Sequence, residues 1–136
     1  MNFFLDNNLP PNWSAVLSAC SKGQFVPGVV GEVVHLRDRF PANTPDTAWM
    51  AELGKQENWV ILSGDAFRKA NGAERKVLRE QKLSVFVLQS SWSSHTYWDK
   101  TAQLVQWWPR IVDQSAEVDG IAMEVPWLIR GRFRQL

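Results

Sequence analysis

Three aspartates follow stretches that predict buried strands, and their positions would bring them to one place in a parallel sheet. Asp6 comes directly after "NFFL", and Asp65 follows "WVILS" with one glycine between. Asp46 lies in the first turn of the helix predicted after the second strand. Parallel strands end at one edge of a sheet, so all three acids would lie there. Clustered carboxylates repel one another, and such a group requires a cation.

Oxygen ligands without Cys or His favour a hard divalent ion, Mg²⁺ or Mn²⁺. An ion of this kind polarises a phosphate and activates water for in-line attack. Each acid also has a structural explanation. Asp46 suits the start of a helix, Asp65 after glycine suits a turn, and Asp6 suits an Asx turn or a helix cap. Their conjunction at equivalent strand ends favours the metal site.

The elements that must position these acids alternate along the chain. Short continuous apolar runs predict strands at 2–6, 32–37, 59–63, 83–89 and 121–125. Helices are predicted from Pro10 or Pro11 to about Ser21, after Thr44 as N-cap with Pro45 in the first turn, at 73–81, and at 95–113. This alternation predicts an α/β three-layer sandwich with a mostly parallel sheet.

Helical spacing predicts which side chains of the last helix face the sheet. The inward stripe would consist of Trp98, Ala102, Val105, Trp108 and Val112. Two further tryptophans, at 107 and 127, fall off that stripe, and for Trp127 a protein interface is the favoured interpretation.

Length and composition limit the classes of protein. The 136 residues fit one domain, with a core at about 2–113 and a C-terminal extension at 114–136. A net charge of +1 gives no bulk attraction to nucleic acid or membrane. A single cysteine, Cys20, excludes an intrachain disulfide and a thiolate metal cage. No signal-peptide pattern or membrane-length apolar run is present, so the default expectation is a cytoplasmic protein without membrane contact.

Two stretches of the sequence resemble a known family. "FFLDNNLPP" is similar to the opening of PIN-like domains, which begin with an apolar strand, Asp, polar residues and Leu-Pro. The stretch 33–88 resembles the variant PIN-like group of VapC-type toxins. It contains "TPDTAW", then "SGD", then a basic stretch with Ala-Glu-Arg, in the order of that group. The resemblance covers roughly residues 3–113, most of the chain.

The resemblance implies a metal-dependent ribonuclease, commonly the toxin of a type II toxin–antitoxin pair. It implies that Asp6, Asp46 and Asp65 are the catalytic, metal-binding acids, with Mg²⁺ or Mn²⁺ as the cofactor. The expected partners are an RNA substrate, a cognate antitoxin and a second copy of the chain.

Further positions have supporting roles under this resemblance. Asn7 or Asn8 would hold a metal-bound water or orient Asp6. Glu74, in "NGAER", would be another ligand or an ion-pair partner of a nearby arginine.

Basic residues cluster just after Asp65, in "FRKANGAERKVLRE". Arg68, Lys69 and Arg75 are expected to bind RNA phosphates, aided by Arg37 and Arg39 at the same edge. The alternative is a solvated helix face with ion pairs one turn apart.

The strand that ends in "VFVLQSSWSS" lacks an acid where ordinary PIN domains have one. Gln89 and four serines stand there, and each lacks a charge. This departure favours an alternative, a catalytically degenerate PIN-like domain that binds protein or RNA. A phosphoacceptor receiver domain fits less well, since Asn7 and Asn8 follow Asp6 and no lysine occurs after Lys100.

Overall fold

The computed structural model describes residues 1–56, 58–64 and 72–136, with side chains described from residue 76 in the last range. Within these ranges the chain forms a six-stranded sheet in the order β2-β1-β3-β4-β5-β6. The strands are β1 (Asn2–Leu5), β2 (Val33–His35), β3 (Trp59–Ser63), β4 (Ser84–Leu88), β5 (Ala122–Val125) and β6 (Arg134–Gln135). All neighbours pair in parallel except β5 and β6, which are antiparallel. The mostly parallel sheet confirms the prediction from the apolar runs.

Helices connect the parallel strands. They are α1 (Trp13–Ser21), α2 (Leu36–Arg39), α3 (Asp46–Lys55), α4 (Gly72–Glu80) and α5 (Tyr97–Glu117), with a 3₁₀ turn at Ser90–Ser94. The single turn α2 was not predicted, because the apolar pattern of β2 continues into it. His35 and Asp38 form a capping box that ends the strand: the His35 ring accepts from Arg37 N, and Asp38 accepts from His35 N.

Alternating residues of β1 face two separate cores, which makes the sandwich three-layered. Phe3 and Leu5 pack with α1 and α5, where the Phe3 and Trp108 ring centroids are 4.6 Å apart. Phe4 packs on the other face, against α3 through Trp49, with ring centroids 4.8 Å apart. Strands buried on both faces explain why the sequence shows continuous apolar runs instead of alternation.

The predicted inward stripe of α5 was wrong in part. Trp98 is 79% exposed and Ala102 is exposed, whereas Trp107 is fully buried. The residues after β5 return along this helix: Phe133 packs its ring 5.1 Å from that of Trp107, and Arg110 donates to the carbonyl of Gly131 at 3.0 Å. Contacts with the residues after β5 therefore bury a wider face of α5 than its helical spacing predicts.

Two smaller details of the fold bear on the predictions. Helix α3 begins one residue later than predicted, so Pro45 is the N-cap and the Thr44 hydroxyl donates to the Pro41 carbonyl at 2.7 Å. Residues 114–136 supply the end of α5 and two strands of the same sheet.

In the described ranges, every helix is too short or too polar to cross a lipid bilayer.

Candidate active site

Asp6 occupies the switch point of the sheet, where ligands bind in open parallel sheets. It follows β1, whose neighbours β2 and β3 lie on opposite sides of it. The Asp6 amide continues the ladder by donating to the Leu62 carbonyl at 2.9 Å, which places the side chain beside the end of β3. Asp6 is only 3% exposed.

Both oxygens of the Asp6 carboxylate accept hydrogen bonds. Oδ1 accepts from the Asn7 amide at 2.6 Å, and Oδ2 accepts from the Ser63 hydroxyl at 2.9 Å. The pKa of Asp6 is raised to about 6, mainly by burial and to a smaller extent by the negative charge of Asp46, whereas the two hydrogen bonds act in the opposite direction. Among the described residues, no Lys, Arg or His forms an ion pair with Asp6.

Asp46 lies on α3, close enough for its charge to act on Asp6. It is the first residue of the helix, and its Oδ1 accepts from the Trp49 indole N–H at 3.1 Å. Asp65, the third predicted acid, lies outside the described residues, although Gly64 before it is described. Within the described ranges, no three His, Cys, Asp or Glu side chains are grouped to hold a metal ion.

Asn7 and Asn8 join the loop after β1 to its surroundings. The Asn7 side chain accepts from Arg37 Nε at 2.8 Å and donates to the Ala42 carbonyl at 3.3 Å. Asn8 Oδ1 accepts from the Gly64 amide at 2.9 Å. A Cβ at Gly64 would lie 3.1 Å from the Asn8 side chain, so glycine allows this close approach. Both asparagines therefore hold backbone segments beside Asp6.

His35 also holds the loop after β1 in place. It is fully buried, and its Nδ1 accepts from the Arg37 amide at 3.2 Å. The proton of the neutral ring is therefore on Nε2, which donates to the Leu9 carbonyl at 2.9 Å. A structural role for this histidine agrees with the absence of Cys or His partners at ligand spacing in the sequence.

The predicted basic residues are only partly described. Arg68 and Lys69 lie outside the described residues, and so do the side chains of Glu74 and Arg75, whose backbone forms part of α4. Arg37 lies at the edge with Asp6 through its bond to Asn7.

Arg39 was expected at the same edge, but its side chain turns away. Its guanidinium lies 5.0 Å from the Trp59 ring centroid, at the amino end of β3, and donates to Gln56 at 3.1 Å. The flat face of an aromatic ring attracts a guanidinium, which explains the direction.

Of two further side chains at this edge, Ser63 had no role assigned from sequence, and Gln89 was noted as a neutral residue in the place of an acid. The Ser63 hydroxyl donates to Asp6, and the only indication of this role in the sequence is the place of Ser63 in the "SGD" segment. Gln89, at the end of β4, accepts from the Ser91 hydroxyl at 3.0 Å and from the Trp127 amide at 3.4 Å. Its amide oxygen therefore holds the segment after β5.

A comparison with known protein families identifies the family of this chain. A family model described as PIN-like domain matches residues 1–90, which is more than half of the chain. The chain therefore belongs to the PIN-like domain family. The matched range includes the three predicted acids, and PIN-like domains are generally nucleases. No curated protein and no solved structure is significantly similar to the chain.

Proposed function

We propose that this protein is a metal-dependent ribonuclease that hydrolyses RNA phosphodiester bonds. The observation that carries the proposal is the state of Asp6. Its carboxylate is buried at the switch point of a PIN-like fold, faces the charge of Asp46, and has no cation partner among the described residues. A buried acid in this position is typical of a site that binds a cation.

The free-energy cost of ionising Asp6 in the folded protein supports the proposal that a cation binds there. Raising its pKa from 3.8 to about 6 means that the ionised folded state at neutral pH is less stable by about 3 kcal/mol. Because the available donors are carboxylate oxygens, a hard ion such as Mg²⁺ or Mn²⁺ fits them. Asp6, Asp46 and Asp65 would hold this ion, which would polarise the scissile phosphate and activate water.

The residues around the acids preorganise them for this task. Asn7 and Ser63 fix the two oxygens of Asp6, and Trp49 fixes one oxygen of Asp46. Ligands held in this way do not have to reorganise when the ion binds. The guanidinium of Arg37, held at 2.8 Å from Asn7, would attract a phosphate of the RNA. Arg68, Lys69 and Arg75 are proposed to extend this attraction along the strand.

Cleavage of an RNA pool by the purified chain tests the proposal. We expect cleavage with Mn²⁺ or Mg²⁺, none in excess chelator, and a loss in Asp6→Asn and Asp46→Asn. Glu52→Gln is a matched control, because Glu52 is an exposed acid on the same helix as Asp46, paired with Lys55 at 3.5 Å. Cleavage that persists in chelator or in both Asp variants would show that the proposed acids are not the active site.

We further propose that the chain is the toxin of a type II toxin–antitoxin pair, acts as a homodimer, and is inhibited by a cognate antitoxin. The support is the resemblance of residues 33–88 to VapC-type toxins. Expression of the chain should arrest growth, and co-expression of the protein encoded beside it should restore growth. Expression without any effect on growth, in cells where RNA cleavage is detected, would contradict the toxin role.

A second candidate is a PIN-like domain without catalysis that binds RNA or protein. It is favoured by Gln89, a neutral residue at the end of β4. The amide oxygen of Gln89 already accepts hydrogen bonds from Trp127 and Ser91. This candidate predicts that RNA binding is equally strong in chelator, in Mn²⁺ and in Asp6→Asn. The ribonuclease predicts RNA binding that strengthens when Mn²⁺ is added to the wild type.

A further inference from the structure

A cavity of about 190 Å³ opens at the carboxyl edge of the sheet, on the side of α1 and α5. Its floor is apolar and consists of Leu9, Trp13, Leu88 and Trp92. Sites for drug-sized ligands measure about 300–1,000 Å³, so this cavity is suited to a single small ring system.

The rim of the cavity carries hydrogen-bond donors. Asn8 and Gln89 each use the amide oxygen within the protein, and their amide nitrogens have no partner among the described residues. Lys100 also lines the cavity and forms no ion pair with a described side chain. An apolar floor beneath a rim of donors suits a flat ring that carries acceptor oxygens and nitrogens.

The cavity lies next to the candidate active site, because two of its lining residues are close in sequence to Asp6 and Ser63. Asn8 and Gly64 both line the cavity, and the bond between them is 2.9 Å long. Asp6 precedes Asn8 by two residues, and its partner Ser63 adjoins Gly64. A nucleotide strand whose phosphate lies at Asp6 would therefore have a neighbouring base within reach of the cavity.

From this geometry we infer that the cavity binds one unpaired nucleobase of the RNA substrate beside the cleaved bond. The inference deepens the proposed ribonuclease function and rests on it for its place in the reaction. The base would lie on the apolar floor, while the amide nitrogens of Asn8 and Gln89 donate to its acceptors. Lys100 would contact the phosphate of the same nucleotide. Unpaired bases are the part of RNA that proteins read in this way.

The test measures binding without catalysis. The full chain, in chelator, is titrated with AMP, CMP, GMP and UMP, and with ribose 5-phosphate, which lacks a base. Indole N–H signals of Trp13 and Trp92 report on the cavity, because these side chains line it and donate to Thr101 and Val125. Trp59, on the opposite face of the sheet with its indole N–H donating to Gln56 at 3.3 Å, is the internal control.

We expect at least one nucleotide to shift the Trp13 and Trp92 signals, while ribose 5-phosphate has no comparable effect. The inference is overturned if no nucleotide shifts them, if ribose 5-phosphate shifts them equally, or if the Trp59 signal shifts to the same extent. RNA cleavage without these shifts would leave the ribonuclease intact and reject the base pocket. Shifts without RNA cleavage would support the pocket and count against the ribonuclease.

Two neighbouring serines provide a matched pair of variants. Ser93 and Ser94 lie in the same 3₁₀ turn, are both exposed, and each donates to the carbonyl three residues earlier. Of the two, Ser93 lines the cavity. Ser93→Tyr should fill part of the cavity and weaken nucleotide binding at least about fivefold, the lower end of the effect of losing one base contact, while Ser94→Tyr should change it less than about twofold. An equal effect of both changes would contradict the assignment.

Discussion

Two acidic side chains are buried in the described part of the chain, and they differ in their partners. Glu124 in β5 is 5% exposed and pairs with Arg134 across the antiparallel β5–β6 ladder, with 3.2 Å between Oε1 and Nη2. Asp6 is 3% exposed, and its described partners are an amide and a hydroxyl. The chain supplies a cation for the first acid. For the second, the described residues supply none, and a neighbouring acid adds to the repulsion.

The difference separates an acid that has a cation partner from one that has none among the described residues. A buried carboxylate with a paired arginine contributes to the register of the last strand. A buried carboxylate without a cation is a strained arrangement unless something binds it, and such arrangements concentrate at functional sites.

The largest expected effect is on RNA cleavage. Asp6→Asn should lower it at least about a thousandfold, or about 4 kcal/mol of barrier, because the site loses its central carboxylate. Glu124→Gln should leave the rate within about threefold, because the substitution keeps the shape of the side chain and Glu124 is not one of the proposed metal-binding acids. Initial rates on one RNA at saturating Mn²⁺ measure both. Similar losses in the two variants would remove the distinction between the acids.

Stability should respond in the opposite direction. Since burial raises the pKa of Asp6 above its unfolded value of 3.8 to about 6, the folded state loses stability as the pH rises from about 4 to 6. Without metal, Asp6→Asn should therefore raise the free energy of unfolding at pH 7.5 by about 3 kcal/mol and leave it nearly unchanged at pH 4. Glu124→Gln should not raise it at either pH, because Glu124 already has a cation partner in Arg134 at 3.2 Å. Urea unfolding at the two pH values checks this, and a gain that does not depend on pH would argue against a raised pKa.

The smallest effect concerns the hydroxyl that bonds Asp6. Ser63→Ala removes a donor that favours the ionised carboxylate, so the pKa of Asp6 should rise further. A metal ion competes with this proton, and the pH midpoint for Mn²⁺ binding should therefore move upward by less than about one unit. Ser84→Ala is the control, because Ser84 is also buried but begins β4 and donates nothing to Asp6. A shift in both variants, or in neither, would contradict the role of Ser63.

The fold was largely predictable because its main signal is local. Strands buried on both faces produce continuous apolar runs, and "WVILS" and "SVFVL" lie within their predicted limits. Errors arose where distant segments decide the structure. Trp107 is buried by Phe133, and the end of β2 is decided by the Asp38 side chain, neither of which a helical or strand period reveals.

Part of the described arrangement around Asp6 could also be predicted from the sequence. A parallel sheet brings strand ends together, so the meeting of Asp6 and Asp46 followed from the order of the elements. The bonds that hold the site join residues far apart in the chain, Ser63 with Asp6 and Gly64 with Asn8. Side-chain bonds across such separations leave no pattern in a single sequence, and for this reason Ser63 had no predicted role.

Calorimetric titration with Mn²⁺ at pH 7.5 tests the central claim most directly, which is that a divalent ion is the missing partner of Asp6. The wild type and Glu124→Gln should bind Mn²⁺ with the same affinity, and Asp6→Asn should lose that binding while remaining folded. Equal Mn²⁺ binding by all three proteins, or none by the wild type, would contradict the account.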